Sequence, residues 1–351
     1  MIKKALFVVL VFYCSLLMAK REIIPGQQYE SNKEFDLFFK LVKTVTLSQE
    51  KVLLGSVRKL SIGPDGNFWI LDSKSVKIHK FRADGTFISS IGGKGQGPGE
   101  YLIPMDIFIG NKYIYVVDPG ARKINVLNMD GSFKYFFKIQ DGRSVQESKN
   151  GDIVIAAPLI TNPNDSTCIQ IYTNKGGLKR SFIPIARNAV KHGLISDFVS
   201  FSLDQDDNIY CVQEMEYKIY KYSFDGQVLK NFSQIKPYYT SPPDELFKQK
   251  YLQSATENWL KSWTHIIGII YFNKLLFVTL SYPKGEYEHI IDIYSQEGEF
   301  IKGGLAMNYR LLHIDKKGNF YFLQDKTDLG AFDSSYNILI YSIRDSNFFA
   351  K

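Results

Sequence analysis

The stretch Ile62-Gly-Pro-Asp-Gly-Asn-Phe-Trp-Ile-Leu-Asp72 reads as a strand end, a tight turn and a second strand. It returns as Ile314-Asp-Lys-Lys-Gly-Asn-Phe-Tyr-Phe-Leu-Gln-Asp325, Asp204-Gln-Asp-Asp-Asn-Ile-Tyr-Cys-Val212 and Ser148-Lys-Asn-Gly-Asp-Ile-Val-Ile155. Shorter forms stand at 109–118 and 271–278. In each, Gly, Asn or Asp supplies the turn conformations that other residues resist. A second phrase follows the first: Lys77-Ile-His-Lys-Phe-Arg-Ala-Asp-Gly-Thr-Phe-Ile88. Its relatives are Ile124–Phe133, Ile219–Leu229, Ile169–Leu178 and Ile291–Phe300. The alternation in Ile219-Tyr-Lys-Tyr is the period-two signal of a half-buried strand.

Two hairpins per unit make four antiparallel strands, the content of a propeller blade. The units fall at roughly 57–92, 104–139, 143–185, 199–235, 265–304 and 310–343. Their length agrees with the roughly 40–50 residues of known blade repeats. The sixth stops at its third strand, Ile338–Ile343, and Leu41–Leu47 is expected to supply the fourth. That arrangement leaves no open sheet edge at the seam. The expected fold is all-β: a six-bladed β-propeller at 57–345, preceded by a segment at 20–56 that carries the closing strand. One insertion, 236–263, breaks the pattern. Ser241-Pro-Pro-Asp244 starts it like a helix cap, and apolar residues recur there at helical spacing.

Composition agrees. Of 351 residues 45% are hydrophobic and 15% aromatic, which is globular and strand-favouring. The net charge of +7 is spread along the chain without a basic block, against a nucleic-acid protein. Lys3 and Lys4 precede the apolar run Ala5–Met18, the pattern of an export signal over 1–19. That run is shorter than the ~20 residues of a spanning helix. Cys14 opens the alternative of a lipid anchor, although Tyr13 fits a lipobox poorly. The expected location is the periplasm or the cell surface. Cys168 and Cys211 lie in apolar strand runs and read as buried thiols.

In these repeated phrases the chain resembles the exported bacterial six-bladed propellers of the NHL-repeat type. The most specific likeness is the linker Ile91-Gly-Gly-Lys-Gly-Gln-Gly-Pro-Gly-Glu-Tyr101, followed by Pro104. That resemblance implies a fold and no particular chemistry, since the family holds binding modules and enzymes alike.

Signatures of catalysis are scarce. There is no Gly-x-Ser-x-Gly, Walker loop or His-Glu-x-x-His. The glycines at 92–99 lack the third Gly and the following helix of a dinucleotide loop, so an interblade turn is the better reading. Ten residues before the second strands stand Arg58, Arg143, His265 and Arg310, at the start of the innermost strand. On a ring they form a cationic mouth fitted to carboxylate or phosphate. The competing reading pairs them with acids that end the second strands: Asp72, Asp118, Glu214 and Asp325. Trp69, Tyr115, Tyr210, Phe277 and Tyr321 share one second-strand position and are expected to pack blade on blade. Tyr238, Tyr239, Trp259 and Trp263 in the insertion are candidates for stacking on a sugar or peptide.

The function expected first is non-enzymatic: a binding or scaffold module of the envelope. Its partner is an envelope protein or a small anionic or carbohydrate ligand, without nucleic acid, and with a membrane only through a lipid anchor. The alternative is a lactonase-like hydrolase or lyase in the channel, with His265 or His313 as base. No cofactor motif is present. A divalent cation would require Asp72, Asp118 and Asp325 to converge.

Overall fold

The computed structural model describes residues 31–159, 167–184, 199–214, 216–234, 236–242, 262–282, 287–325, 335–345 and 348. The proposed signal at 1–19, Cys14 and most of the insertion, Trp259 included, lie outside them. The strands form six sheets of four, each a meander. Blade one holds β2 (Val57–Ile62), β3 (Phe68–Asp72), β4 (Lys77–Phe81) and β5 (Phe87–Ile91). Blade two holds β6 (Asp106–Ile109), β7 (Ile114–Asp118), β8 (Lys123–Leu127) and β9 (Phe133–Lys138). Blade three runs from β10 (Ser144–Glu147) through β11 (Ile153–Leu159) and β12 (Thr167–Tyr172) to β13 (Leu178–Pro184). In blade four, β14 (Val199–Leu203), β15 (Ile209–Gln213), β16 (Glu216–Tyr222) and β17 (Val228–Phe232) follow. Blade five has β18 (His265–Phe272), β19 (Leu275–Ser281), β20 (His289–Ser295) and β21 (Phe300–Met307).

Blade six takes β22 (Arg310–Ile314), β23 (Phe320–Asp325) and β24 (Tyr336–Ile343) from the end of the chain. Its outer strand comes from the beginning. Strand β1 (Phe39–Thr46) pairs antiparallel with β24, from Phe39 opposite Ile343 to Thr46 opposite Asn337. The closing strand therefore starts two residues before the expected Leu41. A short helix, α1 (Lys33–Phe38), precedes it and is capped by Asn32, whose side chain accepts the Phe35 N–H.

The core is divided among the junctions. Among the described residues six apolar clusters are present, one between each pair of neighbouring blades. The first strands meet their neighbours round a central axis, β22 on β2, β2 on β6, and onward to β18. Between blades five and six, Phe277 meets Phe320 edge-on with ring centroids 5.0 Å apart, and Phe35, Phe38 and Phe39 join the same cluster. The equivalent aromatics Trp69, Tyr115, Tyr210, Phe277 and Tyr321 are all buried in these junctions. Two of their hydroxyls also reach the next blade: Tyr115 donates to Glu147 at 2.8 Å and Tyr210 to the Gln296 carbonyl at 3.1 Å.

Turn chemistry follows the sequence. Gly85, at the tip of the Asp84-Gly85 hairpin, has φ of +91°, and a Cβ there would lie 2.1 Å from the Thr46 carbonyl oxygen. In the 92–101 linker, Tyr101 is buried between blades one and two, and Glu100 accepts the Gly97 N–H at 2.8 Å. The loop is wrapped round that carboxylate and is an interblade turn. Cys168 and Cys211 are buried free thiols between blades three and four, and burial pushes the Cys211 thiol up to about 12.

Candidate functional site

The first strand of each blade starts, and the second ends, on one face of the ring, as Val57 opposite Asp72 shows in blade one. The arginines lie at this mouth, and two of them fasten neighbouring blades. Arg310 Nη2 donates to the carbonyls of Val57 at 3.2 Å and Arg58 at 2.8 Å. Arg58 Nε in turn donates to the Met105 carbonyl at 3.0 Å. Blade six is thus tied to blade one, and blade one to blade two.

Deeper in the channel, short polar side chains continue the seam. Ser61 Oγ donates to the Ile107 carbonyl at 2.7 Å. Asp106 accepts the Val145 N–H at 3.0 Å and lies 3.6 Å from Lys59 Nζ. Gln146 donates to the Phe201 carbonyl at 3.2 Å and accepts the Leu203 N–H at 3.0 Å. Ser200 and Ser202 accept the N–H groups of Ile269 and Tyr271 at 3.1 and 2.9 Å. The inner edge of each blade has no neighbouring strand in its own sheet, so its backbone groups need such partners. Burial pushes the Asp106 carboxyl above its ordinary value, and the Lys59 ammonium works against that shift.

The acids of the mouth are engaged inward. Asp72 accepts the backbone N–H groups of Gly55, Ser56 and Lys74, each at 2.9 Å. Asp118 accepts those of Leu102 and Ile103, each at 2.8 Å. Both carboxylates are buried, and each clamps the connection that enters its own blade. Glu214 Oε1 lies 2.6 Å from His265 Nδ1, and both side chains are 0% exposed. Trp263 covers that pair, its ring centroid 3.8 Å from the imidazole. Asp325 alone of the four acids is exposed.

The sequence expectation is therefore divided. Arg58, Arg143 and Arg310 are half-buried at the mouth, with Lys59 inside it. Arg143 Nη2 stands 3.8 Å from Asp141 within its own blade's entry loop. His265 is enclosed and does not face the mouth, because Glu214 and Trp263 take its two sides. Asp72 and Asp118 spend their lone pairs on backbone N–H groups, so neither is arranged to receive a cation. Among the described residues no three His, Cys, Asp or Glu side chains gather as metal ligands. Tyr238 and Tyr239 pack against the core between blades four and five instead of forming an open stacking platform. The Tyr238 hydroxyl donates to the buried Asp292, as does that of Tyr217.

Two features escape a reading by motif. One is the inner set of Lys59, Asp106 and His313, which become neighbours only in the closed ring. The other is periodic: the sixth residue before the turn glycine is His79, Asn125, Gln170, Tyr220 or Asp292 in the first five blades. These side chains form a polar position inside each junction, and Asp292 there receives two tyrosines and the Gly304 N–H. The spacing was available in the sequence as a signal.

His313 carries a pH dependence. Burial, with the Lys59 charge beside it, lowers its pKa to about 4. The unfolded chain holds histidine near 6.5. Its contribution is whole above pH 6.5 and is lost as the pH falls from 6.5 towards 4. In urea melts the stability gap between wild type and His313→Gln should be constant above pH 6.5 and shift against the wild type by about 3 kcal/mol at pH 4. A constant gap across that range would contradict this assignment.

The comparisons agree with the architecture. A family model described as a 6-bladed beta-propeller, DUF5128, matches residues 17–150, which include the first two blades. Among the curated proteins none matches the chain. Solved structures do. A Bacteroides fragilis protein described as exported aligns with a TM-score of 0.66 at 16% identity, covering 87% of this chain and 95% of its own. A DUF4221 family member from Bacteroides vulgatus aligns with a TM-score of 0.62 at 12% identity, over 88% of this chain and 99% of its own. Virginiamycin B lyase from Staphylococcus aureus aligns with a TM-score of 0.52 at 16% identity, over 81% of each chain. Identities this low carry the fold and not the activity. Repeat pattern, sheet order, family model and neighbours agree on one architecture: the chain is a six-bladed β-propeller.

Proposed function

We propose that this propeller is a non-enzymatic binding module of the bacterial envelope, with a small anionic ligand or an acidic partner group received at the channel mouth. One observation carries the reading. Asp72, Asp118 and Glu214 are buried and turned to internal partners, whereas Arg58, Arg143, Arg310 and Lys59 keep part of their surface at the mouth. Against the exposed Asp325 and the part-exposed Asp141, the charge offered to solvent there stays positive on balance, and a rigid ring holds it in place. Export is supported by the signal-like Lys3–Met18 and by the Bacteroides fragilis neighbour described as exported. The 91–101 linker supports placement with the NHL-type repeats. A lyase or hydrolase finds less support, since His265 is enclosed and Asp72 and Asp118 serve the backbone.

Arg143 is the residue to change, because its ion pair stays inside its own blade's entry loop. Titration calorimetry with inorganic phosphate and small dicarboxylates should detect binding to the wild type. Arg143→Ala should weaken it about tenfold and lower the melting temperature less than a change at either inter-blade arginine. Arg58→Ala and Arg310→Ala should lower stability as well as affinity. Equal affinity in wild type and Arg143→Ala would refute the mouth as the site.

A further inference from the structure

The face of blade six remote from the mouth carries an unusual exposure. Leu37, Leu41 and Val42 are 60%, 47% and 57% exposed within six residues of one another. They lie at the end of α1 and the start of β1. Leu41 pairs with Tyr341 and Lys43 with Ile340, so Val42 is the extra residue of a bulge and is pushed outward. Phe39 pairs with Ile343 at the end of β24, whereas the mouth end of this blade is marked by Asp325 opposite Tyr336. The patch and the mouth therefore occupy opposite ends of the blade.

Lys33, Lys40 and Lys43 stand beside the patch in sequence and are exposed, Lys43 reaching the Ala83 carbonyl of blade one at 3.4 Å. Arg344 is held beside it, donating to the carbonyls of Asp36 and Phe39. Glu34 pairs with Lys302 at 3.0 Å, while Asp36, which accepts the Ser31 hydroxyl at 2.6 Å, and Asp345 are exposed acids near the patch, fewer than the basic groups. Branched apolar side chains among lysines with long stems suit the boundary of a lipid bilayer, where the stems reach up to the headgroups. In the lipid-anchor alternative that Cys14 opens, the sixteen residues between it and Ser31 extend at most about 55 Å, which keeps the patch within reach of the membrane.

We propose that Leu37, Leu41 and Val42, flanked by Lys33, Lys40 and Lys43, form a peripheral docking face for an anionic lipid surface. Contact there leaves the mouth directed away from the membrane. The inference does not depend on what the mouth binds.

Hydrogen exchange of the full chain, read at residues 37–43, tests it locally and separates this face from any binding by the N-terminal run. Vesicles of phosphatidylglycerol should slow exchange in that segment by about tenfold, and phosphatidylcholine vesicles should not. Combined Leu37→Ser, Leu41→Ser and Val42→Ser should abolish the protection and leave the melting temperature intact, since these side chains are exposed. Unchanged exchange at 37–43 on vesicles to which the protein binds would overturn the proposal. So would protection that grows with protein concentration in the absence of lipid, which would assign the face to a second copy pairing along the open edge of β1.

Discussion

Asp72→Ala lowers the stability of the propeller by about 3 kcal/mol in urea denaturation. A single buried carboxylate receives the N–H groups of Gly55, Ser56 and Lys74, and that of Ser75 at 3.3 Å. Removing it leaves several donors without an acceptor and frees the connection that leads into β2. Asp72→Asn keeps one oxygen and should lose about half as much. Burial opposes the charge on Asp72, but the His79 imidazole and the N–H groups of Gly55 and Ser56 outweigh it and hold the carboxyl well below its usual range. A group with a depressed folded pKa contributes above its unfolded value, near 3.9, and ceases to contribute as the pH falls through the folded one. The difference between wild type and Asp72→Ala should therefore shrink below about pH 4. A variant as stable as the wild type at pH 7 would show that this clamp is dispensable.

The second large effect belongs to the enclosed pair. Glu214→Ala should cost about 3 kcal/mol or more, because it takes the carboxylate from His265 at a fully enclosed site. Replacing both partners with apolar residues, Glu214→Leu with His265→Phe, should recover much of that loss, since neither polar group then remains to be satisfied. A double-mutant cycle in urea supplies the coupling. Additive losses would mean that the two side chains do not act as a unit. Neither variant should impair phosphate or dicarboxylate binding beyond its effect on folding. Selective loss of binding in His265→Phe would return His265 to the mouth.

The two predictions concern residues that the sequence pointed to for another reason. Asp72, Asp118, Glu214 and Asp325 stand out as second-strand endings, and Arg58, Arg143, His265 and Arg310 as first-strand beginnings. Their shared height on the ring was legible from strand spacing. Their partners were not. Spacing suggested arginine facing acid across a junction, whereas Arg58 and Arg310 donate to carbonyls and Asp72 and Asp118 accept backbone N–H groups. A side chain's partner depends on which backbone groups the sheet leaves unpaired, and that is decided when blades close on one another.

By itself, then, the sequence determined the architecture of this protein. Turn glycines, period-two alternation and a repeated phrase are local signals, and each is satisfied within one hairpin. The count of blades and the use of an N-terminal strand to finish the last one follow from them. Only the tertiary structure decided what the mouth presents. It turned three acids inward, enclosed His265 under Trp263, and brought Lys59, Asp106 and His313 together from neighbouring blades. Those neighbours are separated by tens to hundreds of residues along the chain. No local pattern encodes such a meeting, because the closure of the ring is what brings the six inner strands together.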